Sequence, residues 1–343
     1  MQSNTRNIDI ISFPFLFLME GIVYAHSFLT RVYKESLISH DIHLKSMPVI
    51  TTSDGISLRY AVHGEGKTVI FVPGYGMSLD EWPSRLISHL AQSYRVILYN
   101  HRGVSGERNP AIEFTIPQAA RDLHEVIIQL AGREEEREDE EDIKKELKEE
   151  REKEREEEAE DDLEKEGAVH IVGYSMGGMI ALELALLYPD SVDRLVLLNA
   201  DCGGVLKVPA EEWVRAEMAK ELSTPEAYLE RAGKLLLTES YRCEHPDPRT
   251  WFVDYGEVAD PHAVKEQFDA MLLWEGVCQD LHTIRSKTLI VAGDQDIVTP
   301  PENADILAAA IPDATLHILG GQAHGMIFCQ PVRIAGMIEE FLG

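Results

Sequence analysis

Basic residues are scarce in this chain: 32 lysines and arginines stand against 60 aspartates and glutamates in 343 residues, a formal charge of −28. That balance argues against nucleic acid or an anionic membrane surface as a partner, because their phosphates would be repelled rather than neutralised. Cysteine is scarce too. Cys202, Cys243, Cys278 and Cys329 form no CxxC and no metal-like spacing, which reads as a reducing compartment or as inert buried thiols. The thirteen histidines include no HExxH and no other ligand cluster, so neither a metal nor a redox cofactor is indicated. Long apolar runs are missing as well: Ile10–Met19 is too short to span a bilayer and is bracketed by Asp9 and Glu20.

The acidity is uneven. Residues 133–166 hold 21 acidic and 9 basic residues, with only Ile143, Leu147, Ala159 and Leu163 apolar. Four such residues cannot build a core or a heptad seam. Glu140/Lys144, Glu141/Lys145, Glu149/Lys153 and Asp161/Lys165 nevertheless place each acid four residues before a base, the order that supports a solvated helix or helical hairpin. The segment reads either as a spacer or docking arm, or as a tolerated, partly disordered surface insertion. The whole chain, 44% hydrophobic, is long enough to bury a large core in one α/β domain with insertions.

What the chain does carry is a serine delivered by a strand. The apolar run Ala168-Val169-His170-Ile171-Val172 leads directly into Gly173-Tyr174-Ser175-Met176-Gly177. A GxSxG turn between a buried strand and a helix is a nucleophile elbow, which holds a serine hydroxyl at the tip of a strained reversal. Gly173 and Gly177 supply the small residues that the reversal needs, since side chains there would collide across the turn. Gly178–Leu187 has no breaker after its first residue and is expected to be the helix. The competing reading is a Gly-rich connection that only packs.

A serine hydroxyl is a weak nucleophile and needs a base, which in turn needs a group to orient it. Candidates for both lie downstream. Thr288–Ala292 is a buried-strand pattern running into Gly293-Asp294-Gln295-Asp296, a loop with two carboxylates. Thr315–Leu319 alternates as a strand and leads into Gly320-Gly321-Gln322-Ala323-His324-Gly325; His324 is in the loop, His317 within the strand. Asp201 follows the strand Leu195–Ala200 and competes for the orienting role. Serine, aspartate and histidine in that chain order, each beyond the carboxyl end of a strand, would converge at one rim of an open sheet.

On these motifs the chain, from about Met47 to its C-terminus, resembles an α/β-hydrolase of the Ser-His-Asp type. Val69-Ile70-Phe71-Val72-Pro73-Gly74-Tyr75-Gly76 is similar to the family's strand and oxyanion loop, with Pro73 where many relatives have histidine, and Asn100-His101-Arg102-Gly103 to the turn after the next strand. The resemblance implies an α/β-hydrolase fold, a mostly parallel sheet with helices on both faces and a helical cap. It implies Ser175 as nucleophile, His324 as general base, and Asp296, through Gly293-x-x-Asp296-x-x-x-Pro300, as orienting acid. Backbone N–H groups of Tyr75 and Met176 would form the oxyanion hole. The cap length and Thr224-Pro225-Glu226 are similar to those of enol-lactone hydrolases and related carboxylesterases.

The expected activity is therefore hydrolysis of a carboxylic ester or lactone through an acyl-serine, without a cofactor. Alternatives on the same triad are C–C bond hydrolysis and acyl transfer; an alternative of another class is a non-catalytic scaffold. Residues 133–166 join a helix end to a strand start, so they should leave from the rim opposite Ser175. Residues from about 203 to 282 should cap the catalytic rim. Trp213, Met218, Tyr228, Leu235, Leu236, Leu237, Trp251, Phe252, Tyr255, Phe268, Met271, Leu272 and Trp274 are their candidates for lining an apolar pocket for a small or medium acyl group. Residues 1–46 do not fit the family domain, which starts afresh with a hairpin near Met47. They read as a dispensable extension or mis-set start, a membrane-associating segment, or a signal cleaved near Val23-Tyr24-Ala25. A cytoplasmic location is expected, with membrane association or export through residues 1–25 as the alternative.

Overall fold

The computed structural model describes residues 47–105, 113–131, 167–220, 224–252 and 259–343. The expectations for residues 1–46 and for the acidic segment 133–166 fall outside these residues, as does Tyr255.

Strands β1 (Val49–Thr51) and β2 (Ser57–His63) form the hairpin expected at the start of the domain. Its turn closes with Thr52 N–H on the Ile56 carbonyl at 2.8 Å, and Gly55 takes φ +86°, a conformation that favours glycine. Strands β3 (Thr68–Val72), β4 (Arg95–Tyr99), β5 (Val169–Tyr174), β6 (Val192–Leu198), β7 (Lys287–Gly293) and β8 (Ala314–Leu319) follow. The eight make one sheet in the order β1-β2-β4-β3-β5-β6-β7-β8, antiparallel at β1/β2 and β2/β4 and parallel elsewhere. β3 and β5 are continuous apolar runs rather than alternating ones, and both end up central. Helices cover both faces there, so every position of β5 is buried.

The helices are α1 (Ser84–Leu90), α2 (Ile116–Ala131), α3 (Met176–Leu187), α4 (Glu212–Met218), α5 (Pro225–Leu236), α6 (Glu239–Glu244), α7 (Pro261–Leu273), α8 (Glu302–Ala310), α9 (Met326–Cys329) and α10 (Pro331–Leu342). In α2 the buried residues Ile116, Ala119, Ala120, Leu123, Val126, Ile127 and Leu130 recur every three or four positions, and that stripe packs with α3 on one face of the sheet. Ile70 and Val72 of β3 point into this core. Phe71 points the other way, where its ring meets Trp82 at 4.9 Å. α1 and α10 pack against each other.

Two consequences position the site. The parallel strands β5, β7 and β8 deliver their following loops to one rim. The residues flanking the acidic segment stand at the other: Gly167 precedes β5, and Leu130, at the end of α2, accepts a 3.0 Å hydrogen bond from Arg95 at the start of β4. Residues 201–286, between β6 and β7, contain α4 to α7 and no strand among the described residues.

The cysteine reading is corrected for one pair. Cys202 and Cys278 form a disulfide, with Cα atoms 5.0 Å apart across a sequence separation of 76. Spacing gave no sign of it because the pair is created by closure of the β6–β7 excursion: Val277 N–H donates to the Cys202 carbonyl at 2.8 Å, joining the two stems. Cys243 is an exposed free thiol; Cys329 is half-buried, and burial pushes its thiol up to about 12. Among the described residues no helix is long and apolar enough to cross a membrane.

Candidate active site

β5 runs out at Tyr174, and Ser175 takes φ 54°, ψ −119°, a combination an L-residue adopts only when its surroundings impose it. The surroundings are visible. A Cβ on Gly173 would strike the Gly177 carbonyl, and one on Gly177 would strike the Val72 carbonyl. Only the first collision is across the turn; the second is against β3, so the sheet as well as the reversal demands glycine. Ser175 N–H donates to the Leu198 carbonyl at 2.9 Å, tying the elbow to β6. Ser175 itself caps α3, which begins at Met176, two residues before the sequence pattern suggested.

Ser175, His324 and Asp296 come together in series. His324 Nε2 lies 2.9 Å from Ser175 Oγ, and its Nδ1 lies 2.7 Å from Asp296 Oδ2. All three are buried. The other oxygen of Asp296 accepts 2.8 Å hydrogen bonds from the backbone N–H groups of Val298 and Thr299, so the carboxylate is fixed on both sides. Such a carboxylate favours the His324 tautomer with its proton on Nδ1, leaving Nε2 free to accept from the serine. The competing carboxylates are engaged elsewhere. Asp294 accepts from Gly321 N–H at 2.7 Å; Asp201 accepts from Gly203 N–H at 2.8 Å and sits 3.4 Å from Lys207 Nζ. His317 is exposed on β8.

Several supports of this arrangement were not legible in the sequence. Asn199, at φ 49° just past β6, donates from Nδ2 to the His324 carbonyl at 2.6 Å and accepts from Gly293 N–H at 3.3 Å, clamping the two loops that carry base and acid. Tyr174 donates its hydroxyl to the same His324 carbonyl at 3.0 Å. His101 is a core histidine with a supporting role. It is buried, its pKa is lowered to about 4 by desolvation, and its Nε2 meets the Pro73 carbonyl at 3.0 Å. A neutral imidazole donating there braces the loop that begins at Pro73. The one available signal was the loop-like position of each residue at the end of a strand.

That loop is also braced from the β6–β7 excursion. Gly76 N–H donates to Oε1 of Gln267, a fully buried residue of α7, at 2.8 Å, and the rings of Tyr75 and Phe268 lie 6.0 Å apart. Tyr75 and Met176 flank the serine, one on the loop after β3 and the other in the first turn of α3, where backbone N–H groups have no intrahelical acceptor.

A cavity of about 180 Å³ opens onto Ser175 and His324. That is close to the ~150 Å³ of an apolar cavity that accepts a benzene-sized guest. The structure sorts the apolar residues of the excursion. Met218, Tyr228, Leu235, Leu236 and Phe252 line the cavity; Leu237 and Trp251 pack beside Phe252; Trp274 and Met271 join the main core; Trp213 and Leu272 are exposed. Thr224-Pro225-Glu226 proves to be a helix start, with Thr224 Oγ1 accepting from Ala227 N–H at 3.2 Å. A carboxyl and a guanidinium also line the cavity, those of Glu81 and Arg231. Burial raises Glu81 to about 7 against the opposing effect of the Ser78 N–H, which donates to its carboxyl at 2.6 Å.

The sheet order, the elbow and the series of three side chains define a hydrolase. The chain belongs to the alpha/beta hydrolase family, whose model matches residues 69–336. Among curated proteins it is 26% identical over 300 residues to the "Putative carbamate hydrolase RutD" of Azorhizobium caulinodans, covering 83% of this chain and 95% of that one. Among solved structures it resembles the enol-lactonase from Burkholderia xenovorans LB400, with a TM-score of 0.65 and 18% identity over 86% of this chain and 99% of the other. The meta-cleavage product hydrolase from Pseudomonas fluorescens IP01 superposes with a TM-score of 0.64 at 20% identity, covering 86% and 97%. At these identities the solved structures speak for the fold alone.

Proposed function

We propose that the chain hydrolyses a carboxylic ester or lactone through an acyl-serine intermediate. The observation that carries this reading is the unbroken hydrogen-bond series from Ser175 Oγ through His324 to Asp296. In this reading Ser175 Oγ attacks the acyl carbon as its proton passes to His324 Nε2. The N–H groups of Tyr75 and Met176 hold the oxyanion, each contributing about 3 kcal/mol to the transition state. His324 then returns the proton to the leaving alkoxide, the C–O bond breaks, and water, deprotonated by His324, releases the acid and restores Ser175. Asp296 holds the imidazole in register and stabilises its cationic form. Residues 203–282 act as the cap that shapes the acyl pocket.

The elbow and series would serve other acyl leaving groups equally well. The carbamate hydrolase relative supports a nitrogen leaving group as the second reading, with C–C hydrolysis or acyl transfer on the same residues behind it. A scaffold role is disfavoured, because a binding protein has no need to hold a strained serine against a buried imidazole. A fluorophosphonate probe followed by a panel of p-nitrophenyl esters, lactones and carbamates tests the reading. Labelling of Ser175 that disappears in Ser175→Ala, with turnover of at least one oxygen ester or lactone, is expected. Labelling that survives that substitution, or its absence from folded wild-type protein, would overturn the assignment.

A further inference from the structure

The cavity above Ser175 is apolar except at a few points, and one of them is a cation that has no salt-bridge partner among the described residues. Arg231 lies on α5, half-buried and lining the cavity. Among the described residues no carboxylate lies within salt-bridge distance of it, although the chain carries 60 acidic residues. Its neighbours behave differently. Lys220 and Lys234 both sit on Glu217, at 2.7 and 3.4 Å. Arg231 instead spends one guanidinium nitrogen, Nη1, on the carbonyls of Met218 at 3.3 Å and Lys220 at 2.9 Å, and its Cζ stands 4.9 Å over the Tyr228 ring. The guanidinium is thus oriented by backbone and aromatic contacts and, among the described residues, by no ion pair; the nearby acid Glu217 is taken by Lys220 and Lys234, and Asp269, whose charge also acts on Tyr75, pairs with Lys265. Glu81, the carboxyl lining the same cavity, is turned to the Ser78 backbone.

The position of Arg231 relative to the chemistry follows from Tyr75. The Tyr75 hydroxyl lies 3.4 Å from the same Met218 carbonyl that Arg231 uses, and the guanidinium offsets part of the desolvation that raises the phenol's pKa. Tyr75 therefore reaches from the loop beside Ser175 to the guanidinium, so one tyrosine side chain separates the two. A ligand group meeting Arg231 sits at the far end of the acyl chain and not beside the scissile bond.

We propose that Arg231 is the recognition point for a carboxylate at the distal end of the acyl group, so that the pocket selects anionic acyl substrates over neutral ones of the same shape. This deepens the acyl-transfer reading and rests on it. The physical grounds are that a partly desolvated guanidinium with donors to spare matches a carboxylate in charge and in planar geometry. In a chain so acidic overall, a local cation also favours the entry of a carboxylate substrate.

The test uses Ser175→Ala protein, which leaves the esters uncleaved, so that binding is read apart from catalysis. The probes are monomethyl succinate, adipate and suberate, each paired with the methyl ester of the monocarboxylic acid of equal chain length, titrated calorimetrically. For at least one length the anionic member is expected to bind about tenfold or more tightly than its neutral partner. In Ser175→Ala/Arg231→Gln that ratio is expected to fall to about twofold, and in Ser175→Ala/Arg231→Lys, which keeps a charge without the planar fork, to lie between. Equal affinities within every pair, or a ratio that persists in the glutamine variant, would overturn the proposal. Wild-type turnover of the same esters reports separately on the hydrolase reading. Preference for the anion without turnover of these esters would leave Arg231 standing and put the hydrolase reading to the probe and the wider panel, and turnover without preference would remove the role of Arg231 and leave the hydrolase standing.

Discussion

The carboxyl rim of the sheet and the excursion between β6 and β7 meet around one cavity, yet they are held in opposite ways. At the rim the polar groups are buried and doubly tied: Asp296 accepts from two backbone N–H groups as well as facing His324, and the His324 carbonyl receives both Asn199 and Tyr174. Behind it α3 buries nine of its residues. The described part of the excursion has only a small core of its own, Leu237, Trp251 and Phe252 with the α5 side chains packed against them. α4 buries only Val214, α6 buries nothing, and α7 buries Ala263, Gln267 and Ala270. It is held at joints: the Cys202–Cys278 disulfide, Gln267 on Gly76, Asn303 exchanging two 2.8 Å hydrogen bonds with the Val208 backbone, and Leu237, Trp251 and Phe252 against Phe328. On the proposed function, a reacting centre needs sub-ångström constancy, whereas a substrate-selecting cover needs only to close in register. Few buried contacts and a few fixed joints supply that.

The largest expected effect lies within the rim. Asp296→Asn should lower kcat by about ten-thousandfold, through loss of the histidine tautomer, while Asp294→Asn, which loosens only Gly321, should cost less than about tenfold. Steady-state kinetics of the two variants on one p-nitrophenyl ester decide it, and comparable losses would mean that the rim is not organised around Asp296.

Breaking the stem of the excursion comes next. The paired change Cys202→Ala/Cys278→Ala should reduce the free energy of unfolding by about 2–4 kcal/mol, because the bond closes a long loop of the unfolded chain. Urea unfolding of both proteins measures this. Identical midpoints would show that the excursion is held by its other joints alone.

A smaller effect is expected where the regions touch. Gln267→Met removes the acceptor for Gly76 N–H and should cut kcat about tenfold, roughly 1.4 kcal/mol of barrier, with KM within about twofold and the unfolding midpoint little changed. A loss confined to KM would make Gln267 a substrate-pocket residue and not a brace of the loop.

The smallest effect concerns residues 133–166, whose described flanks lie at the opposite rim. Replacing residues 133–166 with a short Gly/Ser linker should leave kcat/KM for a neutral ester within about threefold, because their flanks lie at the opposite rim and salt screens exposed charge over about 8 Å. A hundredfold loss in a folded protein would show that the segment reaches the site.

Much of the rim was legible from spacing. Gly173-x-Ser175-x-Gly177 after an apolar run, and two loops after strand patterns, suffice because a parallel sheet sends every such loop to one edge. The spacing Gly293-x-x-Asp296-x-x-x-Pro300 favoured Asp296 over Asp294 in the same loop, and their hydrogen-bond partners differ accordingly: Asp296 faces His324, Asp294 the Gly321 N–H. The start of α3 was displaced by two residues because Ser175 serves at once as helix cap and strand end. The excursion was legible only as a length of helical pattern. Its Trp and Tyr residues carry no mark that tells Tyr228, lining the cavity, from Trp213, exposed on the surface.

The sequence by itself determined the central β3 and β5 strands, the glycines of the elbow and the chain order of serine, acid and base, because these follow from local sterics and from apolar runs that only a covered parallel sheet can bury. Tertiary structure alone decided that Cys202 meets Cys278, that Asn199 clamps two loops, that Gln267 reaches Gly76 and that Arg231 faces the cavity without an acid beside it among the described residues. The first three join residues far apart in the chain through one or two side chains, and the fourth depends on which elements fold around the cavity. No periodicity records such a contact, because it comes into being only when the excursion folds back over the sheet.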